Sequence, residues 1–265
     1  MSDPTQTLHS VTSADGTSIA YDRLGDGPPV VLVSGGSTDR MANAGLAAAL
    51  APSLTVFNYD RRGRGPSGDT QPYAVAREVE DIAAVIEAAG GSAHLYGTSS
   101  GAALALEAAA SGVAVSKLAL WEPPYFVDPA ARPPLDSAET YRRFVAEGRR
   151  DKAVEFFMAD VVRLPAEFVA FARTQPWWAG QEAIAHTLAY DAEVMGDYLI
   201  PADRAAKVAV PTIILTGGAS FPFFHETAAA LAKIIPDART GVLEAQEHNV
   251  DPAVIGAALT EFFAS

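Results

Sequence analysis

No cysteine occurs anywhere in the 265 residues. Disulfides, thiolate nucleophiles and cysteine-held metals are thereby excluded together, and a reducing, cytoplasmic setting is the expectation. Long apolar runs are missing too. Hydrophobic residues make up 49% of the chain, yet no stretch approaches the roughly 18 needed to cross a bilayer. Basic residues are few, 19 against 32 acidic ones, for a formal charge of −13. Such a chain repels phosphate backbones and anionic lipid surfaces, so neither nucleic acid nor a membrane is expected as a partner. Met1 to Gly16 carries no basic patch and no apolar run, so no secretory leader is expected there. Neither an internal repeat nor a low-complexity tail interrupts the pattern. The apolar content suits one sizeable core, with room for an insertion.

What is present is a rhythm of short apolar runs and helical stretches. Leu8–Thr12 and Ser18–Asp22 read as a hairpin turned at Ala14-Asp15-Gly16-Thr17. Val30–Val33, Leu54–Tyr59, Ala93–Tyr96, Lys117–Trp121, Thr212–Thr216 and Arg239–Glu244 read as further strands. Helices are expected over Asp39–Leu50, Tyr73–Ala89, Ala102–Ala110, His225–Ile235 and Pro252–Phe263. From Pro123 to Arg204 the character changes: prolines cluster first, then amphipathic helices follow around 138–147, 151–162, 166–173 and 181–189. Alternating strands and helices imply an α/β fold with a mostly parallel sheet covered on both faces. Residues 1–122 and 205–265 are expected to form that core, and 123–204 a helical cap.

Ligand sites on such sheets lie at the carboxyl ends of the strands. Ser34–Ser37, Ser99, Glu122, Gly217–Ser220 and His248 all fall just after predicted strands. Gly97-Thr98-Ser99-Ser100-Gly101 has G-x-S-x-G spacing between an apolar strand and an apolar helix. A strand that turns straight into a helix strains the middle residue and projects its side chain, while the helix start aims free N–H groups at it. A serine hydroxyl needs a base. Of five histidines, His94 lies within the strand before the elbow, His9 is N-terminal, His225 opens a helix and His186 falls in the cap. His248, in Glu247-His248-Asn249 after the last strand, has the loop placement a base requires.

With these residues in view, the chain resembles the α/β-hydrolase superfamily over nearly its full length. Gly97–Gly101 resemble its nucleophile elbow, Ser34-Gly35-Gly36 its oxyanion loop, and Asp60-Arg61-Arg62-Gly63-Arg64-Gly65-Pro66-Ser67 its D-x-R-G-x-G-x-S turn. There are departures. Ser34 stands where the family usually has histidine, and Glu247 where glycine commonly precedes the catalytic histidine. The family's usual acid position after the seventh strand falls on Ser220, and no carboxylate occurs between Asp203 and Glu226. Glu122, directly after the sixth strand, is similar in placement to the acid of some members. The resemblance therefore implies Ser99 as nucleophile, His248 as base and Glu122 as orienting acid. It implies an oxyanion hole from the N–H groups of Ser100 and Gly36, with Gly35 as the alternative donor.

Arg61, Arg62 and Arg64 invite a phosphate-binding reading, but neither G-x-G-x-x-G nor Walker spacing accompanies them, and Asp60 and Arg62 are expected to hold the turn together. Trp177 and Trp178, with Phe156, Phe157, Phe168 and Phe171, can line an apolar substrate pocket or simply fill the cap. His186 and Tyr190, four apart, can share a helix face toward the site. The expected function is a cofactor-free serine hydrolase of an ester or lactone, or of a C–C bond, acting on a small, partly apolar molecule. Two others stay open: a lyase, isomerase or cyclase using His248 only to move protons, and a non-catalytic binding protein on the same scaffold.

Overall fold

The computed structural model describes residues 8–265. The first seven residues, on which part of the reading of Met1–Gly16 rests, lie outside the described residues. Eight strands form one sheet: β1 (Leu8–Thr12), β2 (Ser18–Leu24), β3 (Pro29–Val33), β4 (Thr55–Tyr59), β5 (Ala93–Thr98), β6 (Val115–Trp121), β7 (Thr212–Gly217) and β8 (Ala238–Leu243). Their order is β1-β2-β4-β3-β5-β6-β7-β8. The β1–β2 and β2–β4 pairings are antiparallel and all others parallel. The central strands β3, β5 and β6 are apolar and almost wholly buried, as a sheet covered on both faces requires.

One face carries α2 (Val75–Ala88), α3 (Ser100–Ala110) and α10 (Pro222–Ile234); the other carries α1 (Ala44–Leu50) and α11 (Pro252–Ala264). The apolar positions Val75, Val79, Ile82 and Ile86 set the inward face of α2, as their spacing predicts. The expected helix over Asp39–Leu50 is shorter: a 3-10 turn, Arg40–Asn43, precedes α1. Asn58 donates its Nδ2 to the Arg40 carbonyl, and Arg40 is drawn to Asp22 and Asp60. That carbonyl is thereby held outside an α-helical ladder.

Between β6 and β7 lie α4 (Ser137–Ala146), α5 (Arg150–Phe156), α6 (Ala166–Ala172), α7 (Trp178–Ala183), α8 (Leu188–Met195) and α9 (Ala202–Ala205). Tyr141, Val154, Met158, Trp178, Leu188 and their neighbours form a separate small core in this segment. Its two ends are pinned together by a bridge between Phe126 and Leu199. The single helix expected over 181–189 is broken at Ile184. The Thr187 hydroxyl donates to the Ile184 carbonyl and accepts from Arg64 Nε, so a side chain takes a bond the helix would have used. The break lets α8 bury nearly its whole length, and Val194 and Met195 join the main core.

Candidate active site

Neighbouring parallel strands place the site residues side by side. In register, Val33 lies opposite Gly97, and Thr98 opposite Trp121. The residues that follow, Ser34, Ser99 and Glu122, therefore emerge at adjacent strand ends. Ser99 has φ 55° and ψ −128°, a left-handed geometry that only a forced turn imposes on a serine. The flanking glycines are required by close approach. A Cβ on Gly97 would stand 2.3 Å from the Gly101 carbonyl oxygen, and one on Gly101 would stand 2.5 Å from the Ser34 and Val33 oxygens. Ser100, the first residue of α3, retains an N–H with no intrahelical acceptor. The loop after β3 packs directly on the elbow: a Cβ on Gly35 would come within 3.2 Å of Ser99 Cβ, and one on Gly36 within 3.4 Å of Ser100 Oγ.

Glu122 is fully buried, also at positive φ, 45°. Its Oε2 lies 2.6 Å from His248 Nδ1 and accepts from Ser220 Oγ at 3.0 Å; its Oε1 accepts from the Gly217 N–H at 2.8 Å. Such a carboxylate, removed from water, is held by three donors. The His248 ring also stacks face to face on Phe224, with centroids 5.1 Å apart and planes 3° apart. Trp121 links the two halves. Its carbonyl accepts from the Ser99 N–H and its indole Nε1 donates to the His248 carbonyl, each at 2.9 Å. Among the described residues, no hydrogen bond joins Ser99 Oγ to the His248 ring. Hydrogen bonds within catalytic sites are often long or poorly aligned when no substrate is bound.

The other histidines are engaged elsewhere: His9 stacks on Tyr21, His94 on Phe263, His225 Nδ1 meets Thr216 Oγ1, and His186 faces Asp69 at 3.6 Å. His186 and Tyr190 do share a face, but it meets the loop of Asp69, Gln71 and Tyr73 and not the serine. The Tyr190 hydroxyl bonds Asp69 and Gln71, and its ring stacks on Tyr73 at 3.8 Å. Burial, then the Asp69 carboxylate, raises the Tyr190 hydroxyl above its ordinary tyrosine value. Trp178 sits in the small core of the β6–β7 segment, with its Nε1 on Glu182, whereas Trp177 is 43% exposed. Phe168 and Phe171 are likewise exposed, and Phe156 packs on Tyr141 and Phe144. Phe156 and Trp178 thus pack within the segment's own core, and Trp177, Phe168 and Phe171 stand at its surface.

The three arginines of the turn are buried outright. Arg61 forms a two-pronged pair with Glu78 and reaches Asp191, Arg62 pairs with Asp81 and Asp15, and Arg64 pairs with Asp191. Arg64 also donates to the Gly35 and Thr38 carbonyls, and Asp191 accepts from Ser100 Oγ at 2.8 Å. Burial alone would raise the Glu78 and Asp191 carboxyls; the arginines more than offset it, and both are held below the usual carboxylate range. Sequence reasoning overlooked Phe224, gave no role to Asp191 or Trp121, and met Ser220 only as the occupant of the usual acid position. A usable signal existed for α2: Glu78 and Asp81 sit on its apolar face, where an acid needs a buried cation. Among the described residues, no cluster of three metal-ligating side chains occurs, and no helix is long and apolar enough to cross a membrane.

Comparison with known proteins bears on this arrangement. The family model described as the alpha/beta hydrolase family matches residues 30–253. A solved alpha/beta hydrolase from Sphaerobacter thermophilus is 52% identical, with a TM-score of 0.91, covering 96% of this chain and 100% of its own. A thermophilic esterase from Thermogutta terrifontis is similar in fold at 24% identity and TM-score 0.75, covering 97% and 98% of the two chains. An enol-lactonase from Burkholderia xenovorans is similar at 20% identity and TM-score 0.72, covering 98% and 100%. No curated protein matches the sequence significantly.

Proposed function

Because the chain belongs to the alpha/beta hydrolase family, we propose that it is a serine hydrolase that cleaves an ester or lactone through an acyl-enzyme on Ser99. The observation that carries this reading is the 2.6 Å contact between His248 Nδ1 and the buried Glu122 carboxylate, one strand away from a serine in strained elbow geometry. Glu122 fixes the imidazole tautomer, so that Nε2 is the basic nitrogen. Ser99 Oγ attacks the carbonyl carbon as its proton passes to Nε2, and the carbonyl π electrons move onto oxygen. The N–H groups of Ser100 and of Gly36 or Gly35 meet that oxyanion, with the start of α3 adding its positive end. Each such donor contributes about 3–4 kcal/mol to lowering the barrier.

Collapse of the adduct breaks the bond to the leaving oxygen, which takes the proton from His248. A water molecule then repeats the sequence, with His248 as base, and releases the acid and free Ser99. None of these steps calls for a cofactor. Residues 123–204, whose two ends are pinned together by the Phe126–Leu199 bridge, serve as the cap over the site in this reading. Esterase and lactonase neighbours lend support at the level of fold alone. A fluorophosphonate probe tests the proposal. Labelling of the intact protein should vanish in Ser99→Ala and fall sharply in His248→Ala. Turnover of a p-nitrophenyl ester that survives Ser99→Ala would overturn it.

A further inference from the structure

Ser220 has no role in the reaction just described, yet its hydroxyl is within hydrogen-bond reach of the same Glu122 oxygen that faces His248. We propose that Ser220 is a positioning residue that sets both the rotamer and the charge distribution of Glu122, and through it the orientation of the His248 ring. The proposal rests on the assignment of Glu122 and His248 above and deepens it.

Three observations carry it. First, Glu122 is the residue before Pro123, where extended backbone is the rule, and yet it lies at φ 45°. Nothing in that backbone preference holds the carboxylate in place. Its position is determined by its partners: Gly217 N–H on Oε1, and Ser220 Oγ and His248 Nδ1 on Oε2. Two of the three come from one turn, residues 217–220. Second, this turn is rigidly tied to the strand and loop that deliver His248. The Gly218 N–H donates to the Leu243 carbonyl at 2.8 Å, the Ala219 N–H to the Gln246 carbonyl at 2.9 Å, and the Ser220 N–H back to Gly217 at 3.1 Å. A Cβ on Gly217 would stand 2.2 Å from the Gln246 oxygen, so the close approach is built in. Acid, base loop and hydroxyl therefore share one frame. Third, the Glu122 carboxylate is fully buried. With no solvent contact of its own, the charge is met by these three donors, and the loss of one weighs more than it would in water.

Consequences follow for the imidazole. With Ser220 in place, Oε2 divides its lone pairs between the hydroxyl and the Nδ1 proton. Without it, the carboxylate keeps only the Gly217 N–H and the imidazole, settles about its last torsion to suit those two, and Oε2 turns its whole charge on the Nδ1 proton. The ring still rests on Phe224, so the error is one of tilt in the ring plane, which displaces Nε2 from the attacking hydroxyl. Small misplacements of this kind act on the chemical step more than on substrate binding.

The experiment compares Ser220→Ala and Ser220→Thr in the full chain. Ser220→Ala is expected to lower kcat about tenfold with KM unchanged within about twofold, while Ser220→Thr, which keeps the hydroxyl, recovers most of the loss. Proton NMR gives a readout independent of turnover: the Nδ1–H resonance of His248 should move further downfield in Ser220→Ala and return in Ser220→Thr. Wild-type kcat together with an unmoved resonance in Ser220→Ala overturns the proposal. So does a loss in which KM, melting temperature and kcat fall together and threonine restores nothing, since that marks a merely structural turn. Failure of the underlying reading looks different: Glu122→Gln or Ser99→Ala would retain wild-type turnover whatever Ser220 does.

Discussion

Glu122 accepts from an imidazole, a hydroxyl and a backbone N–H while fully shielded from water. An amide cannot replace it, because one of its two ends must then point a donor at a donor. Glu122→Gln is expected to lower kcat by about 10³–10⁴-fold with little change in KM, measured by steady-state ester hydrolysis, since the wrong imidazole tautomer is then favoured. Its neighbour Gly217 is sensitive for a steric reason. The Cβ of Gly217→Ala would stand 2.2 Å from the Gln246 oxygen, so the turn must shift. A stability loss of about 1–3 kcal/mol in urea unfolding is expected, with a loss of activity beyond what instability explains, because the Glu122 partner moves with the turn.

At the scale of elements, α8 has an unusual task. Asp191 carries a carboxylate into the interior, where Arg61, Arg64 and Ser100 meet it. The same arginines hold α2 through Glu78 and the loop after β3 through the Gly35 carbonyl. One side chain from the β6–β7 segment thus ties together the elbow helix, the arginine turn and the candidate oxyanion loop. Asp191→Asn leaves two buried guanidinium groups without their shared partner. A loss of about 3–5 kcal/mol is expected, read from the urea midpoint. The pH behaviour has a definite sign. Both Glu78 and Asp191 titrate below their ordinary values of 4.5 and 3.8. Their stabilisation is complete above those values and disappears as the pH falls through the depressed folded-state range. Acid unfolding of Asp191→Asn should therefore be shallower than that of the wild type.

At the scale of the whole molecule, α11 packs against α1 and on the sheet, and His94 of β5 stacks on its Phe263 with centroids 4.6 Å apart. Burial, then the nearby Lys117 charge, lowers the His94 imidazole from 6.5 to about 4. The unfolded chain takes up this proton first. Stability should therefore decline between about pH 6.5 and pH 4 and change no further through this group below that. The ring is only half-buried, so solvent screening limits the effect to about 1 kcal/mol. Urea midpoints of the wild type and His94→Gln across that window check it: the variant should show a flatter profile. Most of this window lies above the 4.5 and 3.8 below which the Glu78 and Asp191 contributions begin to fade, so the upper part reports on His94 by itself.

Read alone, the chain determined the alternation of strands and helices, the serine elbow with its two glycines, the lack of an acid after β7, and a histidine following the last strand. These are local matters, written in side-chain periodicity and turn chemistry over a few residues. Strand ends were predicted within a few residues, whereas the helices over 39–50 and 181–189 were misjudged, because distant side chains, Asn58 and Arg64, take part in their breaks. Only the tertiary structure decided which groups meet. Arg61 and Asp191 are 130 positions apart, and Glu122 and His248 are 126 apart. It also turned Trp177 and Phe171 outward and Trp178 inward. A buried charge must find its partner in space, and a side chain's surroundings are set by packing across elements, neither of which leaves a period in the sequence.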